Sequence, residues 1–281
     1  MNDKLLITVA PSIPPYMRSH LPNLDLSPEG IAGEVVRAWS AGANVVHLHV
    51  WDEHGLPTMD LVAFRRTLHL IREQSDIVIE GSTGGINTLS SAERSVALQT
   101  EIELASLNPG SINYDQGVYV NSPDDILYWA TEMQHRQIKP DTAIFDVGMI
   151  ANTVALAQMG LIAAPLLFGL VVGQKGAIPA TPKNVMFLSD TLPAGSLWGV
   201  VGHSGNDLWT STMAMTMGGN VRAGFEDNPY YHPGEPATNN AQLIERLVRI
   251  ARELGREPAT PTEARQLLGL KRIDDDYSKR I

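Results

Sequence analysis

Short apolar segments alternate with stretches of helical periodicity along the whole of this 281-residue chain. Eight of the segments have the length and the aliphatic, β-branched character of buried strands. They span residues 5–10, 44–50, 76–82, 103–108, 142–148, 165–173, 196–202 and 220–226. Strands that alternate with helices form a parallel sheet, and eight such units predict an α/β fold with a single (β/α)8 TIM barrel. The competing architecture, a doubly wound open sheet, usually has fewer strands.

The predicted helices begin at recognisable capping residues. A serine or threonine side chain accepts hydrogen bonds from the first free amides, and a following proline suits the first helical position. This pattern occurs at Ser27, Ser122 and Thr181. Ser90 and Thr260 are each followed three residues later by glutamate, as in a capping box. Segment 239–255 predicts an amphipathic helix that ends at Gly255. Its apolar face consists of Leu243, Leu247, Ile250 and Leu254.

No linker rich in proline, glycine or serine divides the sequence, so residues 1–281 are predicted to form one domain. Segment 10–26 is rich in proline and is predicted to be an extended first loop over the barrel mouth. Residues 271–281 are strongly charged and are predicted to be a tail or an arm toward a partner subunit.

Charge and composition exclude several kinds of partner. The formal net charge is −10, from 31 acidic and 21 basic residues, and no basic cluster exceeds a dipeptide. Such a chain repels nucleic-acid phosphates and anionic lipid, so neither is expected as a partner. No segment reaches the roughly 18 apolar residues of a membrane helix, and a cytoplasmic protein is predicted. With no cysteine in the sequence, any metal must be bound by histidine or carboxylate.

Polar residues gather where the predicted strands end. In a TIM barrel these ends form one face, and that face carries the active site. The candidates are His47, His49, Ser82, Thr83, Gly84, Gly85, Ser106, Asn108, Asp146, Lys175, His203, Glu226 and Asp227. This concentration favours an active site over a purely structural barrel.

His47 and His49 lie two residues apart and therefore share one face of their strand. Two imidazoles and one carboxylate can bind a divalent metal and leave one position open for substrate. Glu226, at the end of the eighth strand, is the predicted carboxylate. The alternative is that both histidines are core residues satisfied by their neighbours. His203 follows the seventh strand and is a candidate substrate contact, whereas the remaining histidines are interpreted as surface residues.

The segment GSTGGINTLSSAER, residues 81–94, predicts a strand, a glycine turn and a helix start. Its exposed amides and the hydroxyls of Ser82 and Thr83 can surround a carboxylate or another oxyanion. The spacing is not that of a P-loop or of a dinucleotide fingerprint. A turn that merely bends the chain is an equally consistent interpretation.

Several motifs together resemble the β-keto acid cleavage enzyme family, whose best-known type is the 3-keto-5-aminohexanoate cleavage enzyme. They are GANVVHLHVWDEHGLPTMD, STGG, ASLNPGSINY, IKPDTAIFDVGM and GGNVRAGFEDNPYYHPGEPATNN. The resemblance spans nearly the whole chain, and HLH combined with R-x-G-x-E-D-N is specific. It implies a zinc-dependent TIM barrel that forms homo-oligomers, usually tetramers.

The resemblance also implies a reaction, in which a β-keto acid and acetyl-CoA give acetoacetate and a new acyl-CoA. The residues it assigns as zinc ligands are His47, His49 and Glu226. An Arg222–Asp227 pair would orient and activate the substrate, and Asp227 is our candidate for the base that takes the C2 proton. Asp146 stands where some members carry glutamate and is a second candidate base. The implied substrate contacts are Ser82, Gly84, Gly85, Ser106 and Asn108.

Three loops depart from the family pattern. Residues 173–177 replace a G-V-P-G-G loop, and residues 202–205 replace G-I-G-R, so an arginine is absent. Lys175 in the neighbouring loop is predicted to supply the missing positive charge. The first loop lacks the acidic residue that members acting on amino-bearing substrates show near Pro15. A neutral or anionic substrate end is therefore expected, in contact with Arg18, Tyr16 or Lys175.

Two other functions remain open from the sequence. A metal-dependent TIM-barrel hydrolase or lyase acting without CoA also uses an HxH strand, although it normally adds histidines on later strands. A non-catalytic metabolite-binding barrel would keep the fold without the chemistry.

Overall fold

Eight parallel strands close into a barrel in the computed structural model, which describes residues 3–52, 54, 56–84, 89–114 and 117–270. The barrel strands, in chain order, are β1 (Ile7–Val9), β2 (Val45–Leu48), β3 (Val78–Gly81), β4 (Leu104–Leu107), β5 (Lys139–Ile144), β6 (Leu167–Val172), β7 (Leu197–Gly202) and β8 (Asn220–Ala223). Neighbours around the barrel are neighbours in sequence, and β8 closes the barrel against β1. The predicted TIM barrel is therefore confirmed.

Seven of the eight predicted strands enclose the observed ones, and β5 is displaced. The sequence predicts a strand over 142–148, whereas β5 begins at Lys139 and ends at Ile144. Lys139 and Pro140 pair with β4, so the strand starts three residues before the predicted position. The shift brings Asp141 into the strand and leaves Asp146 beyond its end.

Helices follow the strands and cover the barrel. They are α1 (Pro28–Ser40), α2 (Leu61–Arg72), α3 (Ser91–Arg94), α4 (Pro123–Arg136), α5 (Gly148–Gln158), α6 (Pro182–Thr191), α7 (Asp207–Thr216), α8 (Asn240–Glu253) and α9 (Pro261–Leu268). All five predicted caps are confirmed by hydrogen bonds from helix amides to the capping side chain, and three are complete capping boxes. None of the described helices is long and apolar enough to cross a membrane.

The amphipathic helix α8 differs from its prediction at one residue. Leu243 and Leu247 are buried as expected, but Leu254 lies past the last helical residue and is 40% exposed. Val248 and Ala251 complete the buried face instead. Gly255 follows with φ of 73°, a left-handed conformation that glycine adopts without strain.

Short strand pairs and 3-10 helices lie outside the barrel sheet. Two-stranded antiparallel pairs link Val50–Trp51 to Pro57–Thr58, Ile112–Tyr114 to Gly117–Tyr119, and Tyr230–His232 to Glu235–Pro236. A parallel pair joins Lys4–Leu5 to Glu257–Pro258. Within the proline-rich first loop, Pro15–His20 forms a 3-10 helix, and a second one spans Val96–Gln99. The predicted tail, 271–281, lies outside the described residues.

Helix α9 packs against the amino-terminal end of the barrel. Its buried Ala264 and Leu268 form one cluster with apolar residues at the starts of the strands. Those residues are Leu6, Val45, Val78, Leu104 and Leu167. This end is filled with apolar side chains, whereas polar side chains collect at the opposite, carboxyl-terminal end.

Candidate active site

A cavity of about 350 Å³ runs into the barrel from its carboxyl-terminal mouth. Because side chains alternate across each strand, the inward positions on β2, β3, β5 and β8 carry polar groups where many barrels carry aliphatic ones. These inward groups are His47, Glu80, Asp141 and Arg222. The barrel axis therefore holds a buried cluster of ionisable groups.

His47, His49 and Glu226 meet in this cavity. The Nε2 atoms of the two histidines are 3.3 Å apart. Glu226 places Oε1 3.6 Å from Nε2 of His47 and Oε2 3.7 Å from Nε2 of His49. Strands β2 and β8 are separated only by β1, which brings ligands from opposite ends of the sequence to one point.

The chemistry of these three groups fits a divalent metal. Tetrahedral zinc with Zn–N bonds of about 2.0–2.1 Å requires ligand atoms about 3.3–3.5 Å apart, close to the observed separations. Burial lowers the pKa of His47 to about 3, and burial also lowers the pKa of His49, so both rings are neutral and offer a lone pair. Oε2 of Glu226 is buried without a hydrogen-bond partner, which a cation would satisfy.

Glu80 supports the metal-binding set from the adjacent strand. It lies opposite His47 in the β2–β3 register, and its Oε1 is 2.8 Å from Nδ1 of His47. A carboxyl oxygen that accepts a hydrogen bond from Nδ1 directs Nε2 toward the cluster. Burial raises the pKa of Glu80 to about 8. Sequence reasoning missed this residue, although a glutamate inside an apolar strand, two residues before Ser82, was a detectable signal.

Arg222 holds Asp227 next to the three predicted ligands. Its Nε donates to Oδ2 of Asp227 and its Nη2 to Oδ1, both at 2.9 Å, while Nη2 also donates to Oε1 of Glu226 at 2.7 Å. Burial opposes ionisation of Asp227, but the guanidinium outweighs it and keeps the pKa of Asp227 below its usual value. His203 approaches the same carboxylate, with Nε2 3.8 Å from Oδ1.

Gly224 allows this loop to turn into the mouth. A Cβ at this position would overlap the backbone of Ala10 at the end of β1. The close approach lets the amide of Glu226 donate to the Ala10 carbonyl at 3.3 Å and the amide of Asp227 to the Gly224 carbonyl at 3.1 Å. Both carboxylates are thereby fixed at the end of β8.

The loops after β3 and β4 form a polar surface on the cavity wall, which we call the hydroxyl cradle: Ser82, Gly84, Ser106, Asn108 and Tyr119. The hydroxyl oxygens of Ser82 and Ser106 are 3.4 Å apart, and Ser82 accepts from the amide of Gly84 at 3.1 Å. Asn108 donates to the Tyr119 hydroxyl at 3.1 Å. Gly85, a predicted substrate contact, lies outside the described residues.

The structure does not bring Asp146 or Lys175 to the cavity. Asp146 is exposed, and its Oδ1 accepts a hydrogen bond from the Gly148 amide at 2.9 Å. Because β5 ends at Ile144, alternation turns Phe145 inward and Asp146 outward. Lys175 is exposed as well and does not line the cavity.

Asp141 takes the inward position on β5 that the displaced prediction missed. It lines the cavity, and its Oδ1 is buried without a hydrogen-bond partner. Burial, with the carboxyl of Glu80 nearby, raises the pKa of Asp141 well above its usual range. Asp141 is therefore a carboxyl group deep in the barrel that resists ionisation.

The outer part of the cavity wall is aromatic and uncharged among the described residues. It includes Tyr16, Trp51, Tyr114 and Phe145. Arg18, which the sequence offered as a contact for a substrate tail, instead donates to the carbonyl of Leu24 at 2.7 Å and does not line the cavity.

Comparison with known proteins decides the family. Residues 4–270 match the sequence model of the beta-keto acid cleavage enzymes. This chain belongs to that family. It is 38% identical over 274 residues to the 3-keto-5-aminohexanoate cleavage enzyme of Fusobacterium nucleatum, which covers 97% of this chain and all of that protein. The predicted resemblance is confirmed.

Other members of the beta-keto acid cleavage enzyme family differ in substrate. The 3-oxoadipate:acetyl-CoA acetyltransferase of Cupriavidus necator is 35% identical, covering 85% of each chain. The 3-dehydrocarnitine:acetyl-CoA trimethylamine transferase of Rhizobium meliloti is 30% identical, covering 96% of this chain and 98% of that one. The apo structure of ObcA has the same barrel, with a TM-score of 0.75 at 18% identity, over 89% of this chain and 66% of that chain.

Proposed function

We propose that this enzyme converts a β-keto acid and acetyl-CoA into acetoacetate and a new acyl-CoA, with Zn²⁺ bound by His47, His49 and Glu226. The observation that carries the proposal is the meeting of these three groups beside the Arg222–Asp227 pair in one cavity. The relatives named as acetyl-CoA transferases support acetyl-CoA as co-substrate.

The bound metal would act as a Lewis acid that polarises the carboxylate and ketone oxygens of the substrate and acidifies its C2 protons. The chain supplies the rest. Glu80 fixes the ring of His47, and Arg222 fixes both Asp227 and Glu226. Polar groups that are held in place and shielded from water reorganise little when charge moves during the reaction.

Asp227 is the proposed base. Arg222 keeps its carboxylate ionised and aimed, so Oδ1 or Oδ2 can take a C2 proton from the substrate. A carboxylate with a lowered pKa is a weak base, and it therefore depends on an acidified C2–H bond. His203, 3.8 Å from Asp227, borders the same space and is a proposed substrate contact.

The atoms balance as follows. The C2 carbanion attacks the thioester carbonyl of acetyl-CoA, and the CoA thiolate leaves. That thiolate attacks the original ketone carbon, the bond between this carbon and C2 breaks, and the new acyl-CoA forms. Asp227 returns its proton to C2, which gives acetoacetate.

The hydroxyl cradle is the proposed site for the substrate carboxylate. Ser82, Ser106 and Asn108 carry hydrogen-bonding groups at the cavity wall, close to the amide of Gly84. Hydroxyls and amides bind a carboxylate without a fixed positive charge on the wall itself.

For the substrate tail we propose an uncharged, apolar group. The aromatic outer wall offers no described cation or anion, and neither Arg18 nor Lys175 reaches it. Of the neutral and anionic substrate ends that the sequence allowed, the proposal keeps only the neutral one. The measurement is kcat/KM for three substrates of similar size, 3-oxohexanoate, 3-oxoadipate and 5-amino-3-oxohexanoate. We expect kcat/KM for 3-oxohexanoate to exceed that for each of the other two substrates by at least tenfold.

Zinc analysis combined with an acetyl-CoA-dependent assay on a panel of β-keto acids tests the main proposal. We expect one zinc per chain and acyl-CoA formation. Hydrolysis without CoA would favour the metal-dependent hydrolase, and bound metabolite without turnover would favour the binding barrel.

Substitution of Glu226 separates metal binding from fold. E226Q is expected to lower zinc occupancy and abolish turnover, because it removes a charged ligand. E253Q, an exposed glutamate at the end of α8, is the matched control and should change neither. An E226Q variant that kept both zinc and turnover would remove Glu226 from the ligand set.

We also propose a cytoplasmic homotetramer, as in the family that the sequence resembles. Light scattering coupled to size-exclusion chromatography should give the mass of four chains. Residues 1–281 as a single domain, with the 271–281 tail outside the barrel, also remain a prediction.

A further inference from the structure

Arg94, at the end of α3, is a buried cation behind the hydroxyl cradle. Only 3% of its surface is exposed. Its guanidinium donates to the carbonyls of Thr83 and Val120 at 3.1 and 3.0 Å, to Oδ1 of Asn121 at 2.7 Å, and to the hydroxyl of Tyr119 at 3.1 Å. One side chain therefore joins the loop after β3 to the segment that carries Tyr119.

All four of these acceptors are neutral. Among the described residues no carboxylate forms an ion pair with Arg94. The Asp125 carboxylate accepts hydrogen bonds from Ser122 and Ser91. These bonds lower its pKa, and the charge of Arg94 adds only a smaller effect. The guanidinium lies 4.3 Å from the ring centroid of Trp129 and 5.2 Å from that of Tyr119, which offsets part of the cost of burial. A buried charge with neutral partners is still favourable to a nearby anion.

The Tyr119 hydroxyl connects this charge to the cavity. Its oxygen accepts from Nη2 of Arg94 and from Nδ2 of Asn108, each at 3.1 Å. A phenolic oxygen has two acceptor positions and one O–H, so a hydroxyl that accepts two hydrogen bonds can still act as a donor. Hydrogen bonds polarise one another along such a chain, and the cationic end strengthens the donor.

The position of this hydroxyl is beside the cradle loop. A Cβ on Gly84 would lie 2.5 Å from the Tyr119 oxygen, 3.5 Å from Oγ of Ser82 and 3.6 Å from Nδ2 of Asn108. Glycine is required there because the phenol occupies the space of a side chain. The hydroxyl is thereby held among the groups that the proposed function assigns to the substrate carboxylate.

We propose that Tyr119 donates a hydrogen bond to the carboxylate of the β-keto acid, and that Arg94 is the positioning residue that polarises Tyr119 and gives the cradle its positive charge. This inference rests on the proposed function. It adds a cation to a carboxylate site whose other groups are neutral, without exposing that cation to water.

Two ligands of the same shape test it in the zinc-loaded enzyme. Acetoacetate carries the carboxylate, and acetoacetamide replaces it with a neutral amide. Y119F keeps the ring and removes the donor, and it is expected to weaken acetoacetate binding about 10- to 100-fold, the range for a hydrogen bond to a charged group. Acetoacetamide binding should change less than threefold. Y128F, which removes an exposed hydroxyl on α4 outside the cavity, is the matched control and should leave both affinities unchanged.

A double-mutant cycle tests the part played by Arg94. R94K keeps a charge but cannot reach four acceptors, and it should weaken acetoacetate selectively. If Arg94 acts through Tyr119, adding R94K to Y119F should change the acetoacetate-to-acetoacetamide ratio by less than threefold more. Melting temperatures show whether each variant is folded. If R94K is unfolded, the effect of Y119F on the two affinities tests the proposal by itself.

The outcomes are distinguishable. Equal losses for both ligands in Y119F, with the wild type active, would overturn this inference and leave the proposed function standing. Fully additive effects of R94K and Y119F would overturn the role of Arg94. A zinc-loaded wild type that forms no acyl-CoA from any β-keto acid would overturn both proposals together.

Discussion

The hydrogen bond between Glu80 and His47 is the contact that most directly tunes the metal-binding group. Glu80 is buried beside the ring, and its carboxyl group fixes which nitrogen of His47 faces the cluster. E80Q keeps the shape but replaces one carboxyl oxygen with an amide NH2, which cannot accept a hydrogen bond from Nδ1. We expect zinc affinity to fall about 10- to 100-fold, measured by competition with a chelating dye.

D146N provides the matched control for E80Q. Asp146 is exposed and outside the cavity, and asparagine retains the oxygen that accepts from Gly148. Zinc affinity and turnover should stay at wild-type values in D146N. A large loss of turnover in this variant would restore Asp146 as a candidate base.

Asp227 offers a second test at the same scale. D227N keeps an oxygen for Arg222 but cannot take a proton, so kcat should fall by at least about a hundredfold. Zinc content should not change, because no ligand is removed. Loss of zinc comparable to that in E226Q would instead make Asp227 a ligand.

Residue roles were partly predictable from the sequence. His47, His49 and Glu226 stood at strand ends, where alternation fixes their direction, and the structure brings them together. Asp146 was misplaced because β5 ends two residues before it, at Ile144, and the cavity is lined by the alternate residues Asp141, Ala143 and Phe145. Arg94 reaches the site from the short helix α3 and Tyr119 from a short antiparallel pair, and no periodicity in the sequence encodes how these elements pack.

Among the elements, α9 is the one whose packing closes the amino-terminal end of the barrel. Leu268 is 1% exposed and packs among residues at the strand starts. L268A should lower the free energy of unfolding by about 2–5 kcal/mol, because it removes transfer energy and leaves a cavity. Urea unfolding monitored by circular dichroism measures the change.

Leu254 is the control for this prediction. The side chain is 40% exposed, so L254A should change the free energy of unfolding by no more than about 0.5 kcal/mol. Similar destabilisation by both variants would show that α9 does not hold the barrel closed.

Element types were predicted well and element ends less well. Apolar runs between turn residues identified the barrel strands, and capping chemistry identified five helix starts. The pair Ile112–Tyr114 and Gly117–Tyr119 was not predicted, because its residues are largely exposed and lack a clear alternation. Such elements depend on contacts with the barrel mouth rather than on their own pattern.

For the whole molecule, metal binding and folding should be linked. The proposed ligands lie at the ends of β2 and β8, so only the closed barrel brings them together. Zinc at 100 times its dissociation constant should stabilise the fold by about 2.7 kcal/mol. Chelation should lower the melting temperature, and added zinc should restore it.

The E226Q variant again supplies the comparison. Without a complete ligand set its melting temperature should respond to neither chelator nor zinc. An equal response in E226Q and in the wild type would place the stabilising metal elsewhere on the chain.

The pairing of β8 with β1 has a consequence for how the protein is made. Val221, Arg222 and Ala223 pair with Ile7, Thr8 and Val9, so the last barrel strand to leave the ribosome completes the sheet begun by the first. A nascent chain released before residue 226 would carry both imidazoles but neither acidic partner at the end of β8. We therefore expect metal retention to report that synthesis has passed residue 226, and a product truncated before that residue to be recognisable by its failure to keep zinc.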